Sequence, residues 1–370
     1  MHKNNFDFLR LVFALSVIIT HSVILSGSGL QDPLQYLTSG QFSFSDLGLA
    51  GFFTISGYLV FESLKRSNSI FEYYKKRVLR IYPGLLVALI VTMMVGAIVS
   101  DLNAKHYFTE SLTYKYILLK LSMFLRPNGL PEVFTGNPFP NEANGSLWTI
   151  PYEFLFYVLL SSVYFIRNKA HTVLLALGCI YLLAILIYYG KGSIVPGATY
   201  YYIDKPFRFF RFDPFFSFGF YFCSGAILTN FKVFLKVYKV QILMMGMLLS
   251  VIFVMQNIFV VASHFVLPVL IISFGILQTK WVNNLAVKIG DLSYGIYIYA
   301  FLIQQTLVHY FPLNYFELAI CTIPLSFLVG YLSWNYIEKP FLKLKSKKTG
   351  VTFSLATLAP AENYTRPVKP

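Results

Sequence analysis

Arg10 and His21 stand eleven residues apart in the apolar run Phe6–Leu25. At about 100° per residue, eleven steps end about 20° past three helical turns, so both side chains share one face about 16 Å apart along the axis. Ionisable groups inside such a run are costly and by default mark function. Taken singly, Arg10 is compatible with snorkelling to headgroups and His21 with a hydrogen bond to a neighbouring helix. The co-facial pair points to chemistry. Asp7, three positions before Arg10, is placed to pair with it.

A second group lies in Ser146-Leu147-Trp148-Thr149-Ile150-Pro151-Tyr152-Glu153. Ser146 or Thr149 suits a helix N-cap, and with Thr149 in that place Pro151 falls in the tolerant first turn. Glu153 and His21 then both lie about 6–10 Å below the outer surface, at about 1.5 Å per residue. A carboxylate and an imidazole at matched depth suit a general base and its orienting partner. The alternative is a Glu153 that is protonated or structurally paired.

The elements that must position these groups follow from composition. Of 370 residues, 56% are hydrophobic and only 12% charged, although the net charge is +14. An average soluble domain is about 25% charged. The chain is therefore neither disordered nor an ordinary soluble enzyme, and its basic excess is no nucleic-acid signature. Ten apolar segments suit spanning helices: Phe6–Leu25, Leu47–Ser63, Ile81–Ser100, Leu147–Ile166, Thr172–Tyr189, Pro214–Asn230, Val240–Gln256, Ile258–Thr279, Leu292–Tyr310 and Leu318–Ile337. Val240–Thr279 holds no acidic or basic residue over forty positions, long enough for two spans. The expected fold is all-α and polytopic, with residues 1–345 in the membrane domain and 346–370 a tail.

With the N-terminus inside, 21 of the 30 Lys and Arg fall on cytoplasmic connections, eight on outer ones, and Arg10 within a span. That asymmetry predicts both termini in the cytoplasm. Cys179, Cys223 and Cys321 sit in apolar runs without metal-ligand spacing, so neither a disulfide nor a metal site is expected. The longest connection, Asp101–Ser146, is external and long enough to be functional. Thr199–Phe216 is densely aromatic and carries Arg208 and Arg211. It reads either as an interfacial aromatic belt or as a platform that stacks sugars. His264 and His309 read as structural.

Together these residues resemble the integral-membrane acyltransferase-3 family. FDFLRLVFALSVIITHSV carries its R-x10-H spacing, and GFFTISGYLVF, KKRVLRIYP with Arg77-x-x-Arg80, SLWTIPYEFLFY, SYGIYIY and SWNYIEKPF follow in order. The resemblance covers about Asn5 to Leu344. It implies transfer of an acyl group, usually acetyl, from cytosolic acyl-CoA to a carbohydrate hydroxyl at a bacterial cytoplasmic membrane. Arg10, His21 and Glu153 match its catalytic positions, and Arg77 and Arg80, with Lys76 beside them, its acyl-CoA contacts. Trp148, Arg208 and Arg211 are the candidate acceptor contacts. Guanidinium forks suit the CoA phosphates, although positive-inside charge accounts for Lys65 and Arg66. His21 acts either as direct base or as acyl carrier. Where many relatives carry His after S-Y-x-x-Y, this chain has Ala300, followed by Gln304 and Gln305. The rival classes are a proton-coupled transporter and a polyprenyl-linked glycosyltransferase.

Overall fold

A computed structural model describes residues 4–123, 129–194, 211–277, 279, 282–283 and 285–344. It is built from helices: α1 (Phe6–Leu25), α2 (Pro33–Leu37), α3 (Phe44–Lys65), α4 (Ile70–Val99), α5 (Ala104–Thr109), α6 (Ser111–Leu121), α7 (Ile150–Ser161), α8 (Ala170–Ile194), α9 (Phe212–Leu228), α10 (Lys232–Val237), α11 (Lys239–Met255), α12 (Phe259–Gly275), α13 (Leu285–Ile289), α14 (Ser293–Tyr310), α15 (Tyr315–Ser333) and α16 (Lys339–Lys343). Among the described residues there is no strand, only an isolated bridge between Ser100 and Val133.

Six helical stretches are long and apolar enough to cross a membrane, and α11 and α12 are shorter apolar helices. Their outward faces carry what a soluble protein would hide: Leu182, Leu186, Met244, Met255 and Leu328 are all exposed. The centre is α1, α3 and α9. Gly57 and Gly225 let α3 and α9 touch backbone to backbone, since a Cβ on Gly57 would meet the Phe222 carbonyl oxygen at 1.9 Å. Beside this contact Phe53 stacks on Phe218 at 4.4 Å.

Two segments depart from the sequence expectation. Helix α4 starts at Ile70, eleven residues before the expected span, so Arg77 and Arg80 sit inside a continuous helix. Ser69 caps it by accepting from the Glu72 amide, and Glu72 pairs with Lys76 one turn on at 2.7 Å, which carries the helix through the basic stretch. In place of a span over Leu147–Ile166 there is a 3₁₀ turn, Gly145–Thr149, and then twelve residues of α-helix. At about 1.5 Å per residue α7 is about 18 Å long, short of a bilayer core. Thr149 is its N-cap, yet its hydroxyl goes to Tyr297 at 2.6 Å instead of capping. The segment serves as an internal wall, which a longer helix would have displaced.

Candidate functional site

Helix α1 is unbroken from Phe6 to Leu25, which puts Arg10 and His21 on one rod about 16 Å apart. Each opens on its own cavity. One, of about 510 Å³, is lined by Arg10, Arg66, Lys76, Arg77, Arg80 and Glu153. The other, of about 350 Å³, is lined by His21, Tyr116, Lys120, Glu142, Trp148 and Arg211.

In the arginine cavity the basic residues have separate roles. Arg10 pairs with Asp7 at 2.7 Å, as its spacing predicted, and also reaches Asp291 at 3.3 Å. Arg80 pairs with the same Asp291 oxygen at 2.9 Å and with Glu338 at 3.5 Å. Burial would raise the Asp291 carboxyl; Arg10, Arg80 and the Ser293 hydroxyl outweigh it and hold the group down at about 2. Glu338 belongs to a π-helical turn, Trp334–Glu338, that carries it inward to accept from Ser333 at 3.0 Å. Arg80 and Arg10 are thus bound by acids. Lys76 is tied to Glu72.

Arg77 is different. Its guanidinium lies 5.6 Å from the Tyr157 ring centroid and donates to the Ser63 hydroxyl at 3.3 Å, while its buried Nε has no hydrogen-bond partner. Among the described residues neither Arg77 nor Arg66 makes an ion pair, and both line the cavity. This is what an anion-binding cavity needs.

Glu153 also faces the arginine cavity. Its carboxylate accepts from Ser56 at 2.9 Å and from the Tyr157 hydroxyl. His21 and Glu153 therefore do not meet: each lines a different cavity, with the wall between them. The Nδ1 of His21 is buried without a hydrogen-bond partner, and its ring packs against the edge of Phe301 at 5.1 Å. Phe301 can approach because position 145 is glycine, where a Cβ would meet its ring at 2.7 Å.

Trp148 stands in the histidine cavity 40% exposed, edge-on to Tyr152 at 5.8 Å. The Arg211 amide donates to the Tyr152 hydroxyl at 2.9 Å, which fixes that residue at the rim. Arg208 lies outside the described residues. The long connection after α4 folds into α5 and α6, and its return docks on α14: Gln305 donates to the carbonyls of Phe139 and Glu142 at 2.7 and 2.9 Å, and accepts from Asn137 at 2.8 Å. Gln304 donates to the Ile18 carbonyl at 2.9 Å and the Ser22 hydroxyl at 2.7 Å, bracing the turn that carries His21. Ala300 is buried against Ala14 and Ile18.

Sequence reasoning did not assign Asp291, Glu338, Tyr157, Lys120 or Glu142. The first two had a signal: Asp291 stands two residues before SYGIYIY, and Glu338 lies within SWNYIEKPF. Arg66, set down as orienting charge, joins the arginine cavity. His264 is structural: it is 3.0 Å from the Ser217 hydroxyl and stacked on Tyr221 at 4.7 Å. Among the described residues no group of three or more His, Cys, Asp or Glu is placed to hold a metal ion.

An all-helical chain with apolar outer faces and two internal cavities, one cationic and one carrying an imidazole, defines a polytopic membrane protein with a built site. The acyltransferase domain model of the acyltransferase-3 family matches residues 3–335, and the chain belongs to that family. It is 29% identical over 354 residues to an O-acetyl transferase of Shigella phage Sf6, covering 94% of this chain and 99% of that one. It is 27% identical over 383 residues to nodulation protein 10 of Rhizobium leguminosarum bv. viciae, covering 96% and 97%. No solved structure matches. The protein is an acyltransferase.

Proposed function

We propose that the protein transfers an acetyl group from cytosolic acetyl-CoA, held in the arginine cavity, to a carbohydrate hydroxyl held in the histidine cavity. The observation that carries this reading is the pair of cavities meeting at Ile150, one lined by Arg66 and Arg77, which make no ion pair among the described residues, and the other by an imidazole. The CoA phosphates sit against Arg77 and Arg66, with Arg10 and Arg80 behind them in their acidic cage. The sugar lies on Trp148, with Arg211 at the rim. Its hydroxyl oxygen attacks the thioester carbon, the hydroxyl proton passes to His21, the carbon–sulfur bond breaks, and the CoA thiolate takes the proton and leaves as the thiol. Should His21 first carry the acyl group itself, initial-rate lines become parallel instead of intersecting.

The arginine cavity opens to the cytoplasm of a bacterial inner membrane, with ten spans, both termini inside, and residues 346–370 a cytoplasmic tail. The distribution of Lys and Arg supports this orientation. The test is ester-linked acetyl on surface glycan from cells producing wild type or His21→Ala at equal levels. Loss of a general base costs about 10²–10⁴-fold. Full acetylation by the variant would remove His21 from the reaction.

A further inference from the structure

We infer that Ile150 sets the length of acyl chain the enzyme transfers; the inference rests on the donor and acceptor assignment just made. Among the described residues Ile150 alone lines both cavities, and it is only 3% exposed. On α4, α14 and the wall segment the lining changes sides within one helical turn, whereas on α1 it passes from Arg10 to His21 over eleven residues. On α4, Ile81 faces the arginine cavity and Leu85 the histidine cavity; on α14, Tyr297 faces the first and Phe301 the second. In the wall segment Thr149 and Glu153 face one way, Trp148 and Pro151 the other. Where α4, α7 and α14 meet around Ile150, the partition is therefore one turn thick, about 5 Å. The side chains that make it, Ile81, Leu85, Ile150, Tyr297 and Phe301, carry no charge.

A donor anchored by its phosphates must bring its thioester to this partition, because His21 lies beyond it. The acyl group is the leading, apolar end of the donor, so its terminal methyl meets the partition first. The acyl carbon then leaves sulfur for the sugar oxygen across it, with the hydroxyl proton passing to His21. Each added methylene must find room beside Ile150. The backbone there is not free to yield: the Tyr297 hydroxyl donates to the Ser146 carbonyl at 3.0 Å and is 2.6 Å from the Thr149 hydroxyl, clasping the turn to α14. The Ile150 side chain is the variable part.

The experiment supplies membranes containing the full-length protein with radiolabelled acetyl-, propionyl- or butyryl-CoA and counts label in the producing cells' own glycan. Wild type prefers acetyl. Ile150→Ala raises the butyryl-to-acetyl ratio about tenfold or more, the discrimination one or two methylenes carry in an apolar pocket. Ile150→Val, a gentler change that carries the test if the alanine variant fails to accumulate, shifts the propionyl ratio in the same direction. Ile150→Phe depresses acetyl transfer while purified protein still binds desulfo-CoA as wild type does. An unaltered chain-length ratio in an active Ala or Val variant overturns the inference, as does a Phe variant that transfers like wild type. A wild-type protein that transfers none of the three labels strikes the donor assignment instead, which separates the two failures.

Discussion

The arginine and histidine cavities share four helices, α1, α4, α7 and α14, yet they treat charge in opposite ways. In the first, Asp7, Asp291 and Glu338 surround Arg10 and Arg80, so much of its charge is already neutralised and fixed before any ligand arrives. In the second, His21 has an unpartnered Nδ1 and aromatic neighbours. A phosphate-binding cavity gains from cations that cannot move, because preorganised charge need not be reorganised on binding. On the function proposed above, the second cavity must pass a proton, which suits an imidazole nitrogen left without a structural partner. The partition keeps these demands apart.

The sharpest way to break this contrast is Asp291→Ala. It removes the counter-charge that Arg10 and Arg80 share, leaving Asp7 to the first and Glu338 to the second, and removing one member of a buried ion pair costs about 3–5 kcal/mol. Accumulation and thermal stability in detergent should both fall, and His21 chemistry should fall only in proportion to folded protein. Because the Asp291 carboxyl is held near 2, below its ordinary 3.8, its stabilising contribution is complete above about pH 5 and fades as pH drops through 4 towards 2. The stability gap between wild type and Asp291→Asn should thus stay flat from pH 8 to 5; a gap that closes between 8 and 6 would assign the effect to another group.

Arg77→Ala tests the same cavity from its unpaired side, with a smaller effect. A charge-assisted hydrogen bond is worth about 1.5–3 kcal/mol, or about 10- to 150-fold in KM for acyl-CoA. Protein accumulation should be unchanged. Arg80→Ala should do the reverse, losing folded protein first because Glu338 then loses its cation and Asp291 keeps only Arg10. Identical behaviour of the two variants would erase the division within Arg77-x-x-Arg80.

That division was invisible in the sequence, and the reason is physical. Helical spacing placed Arg10, His21 and Asp7 correctly because all three ride one helix whose geometry is fixed. It likewise put Arg77 and Arg80 on one face. Which guanidinium meets an acid depends on Asp291 and Glu338, more than 200 residues away, brought in by the start of α14 and a π-helical turn. His21 and Glu153 misled for the same reason: spacing within two separate segments does not show the wall that packing puts between them. Six of the expected segments fall on helices long and apolar enough to cross a membrane and two more on the shorter α11 and α12, whereas the 3₁₀ turn before α7 is held by a contact with Tyr297, far away in sequence.

The smallest expected effects fall on Gln304 and Gln305, about one turn beyond Ala300 on α14. Gln304→Leu is the informative change. It removes two hydrogen bonds to the His21 turn but also a buried side-chain oxygen with no partner of its own. Ser22 still donates to the Ile18 carbonyl at 2.9 Å, so that carbonyl keeps a side-chain donor. Replacing a polar group by an apolar one of similar shape is then close to neutral for stability. If Gln304 merely fills space, kcat stays at the wild-type value. If it holds the imidazole in register, kcat drops several-fold, about 1 kcal/mol, while KM for acyl-CoA is untouched because the arginine cavity is unaltered. Gln305→Ala, by contrast, frees the loop carbonyls of Phe139 and Glu142 and should raise KM for the acceptor instead. Opposite splits from adjacent residues would show that one helix positions both the base and the acceptor wall. A shared loss of kcat and folded protein would reduce the pair to packing.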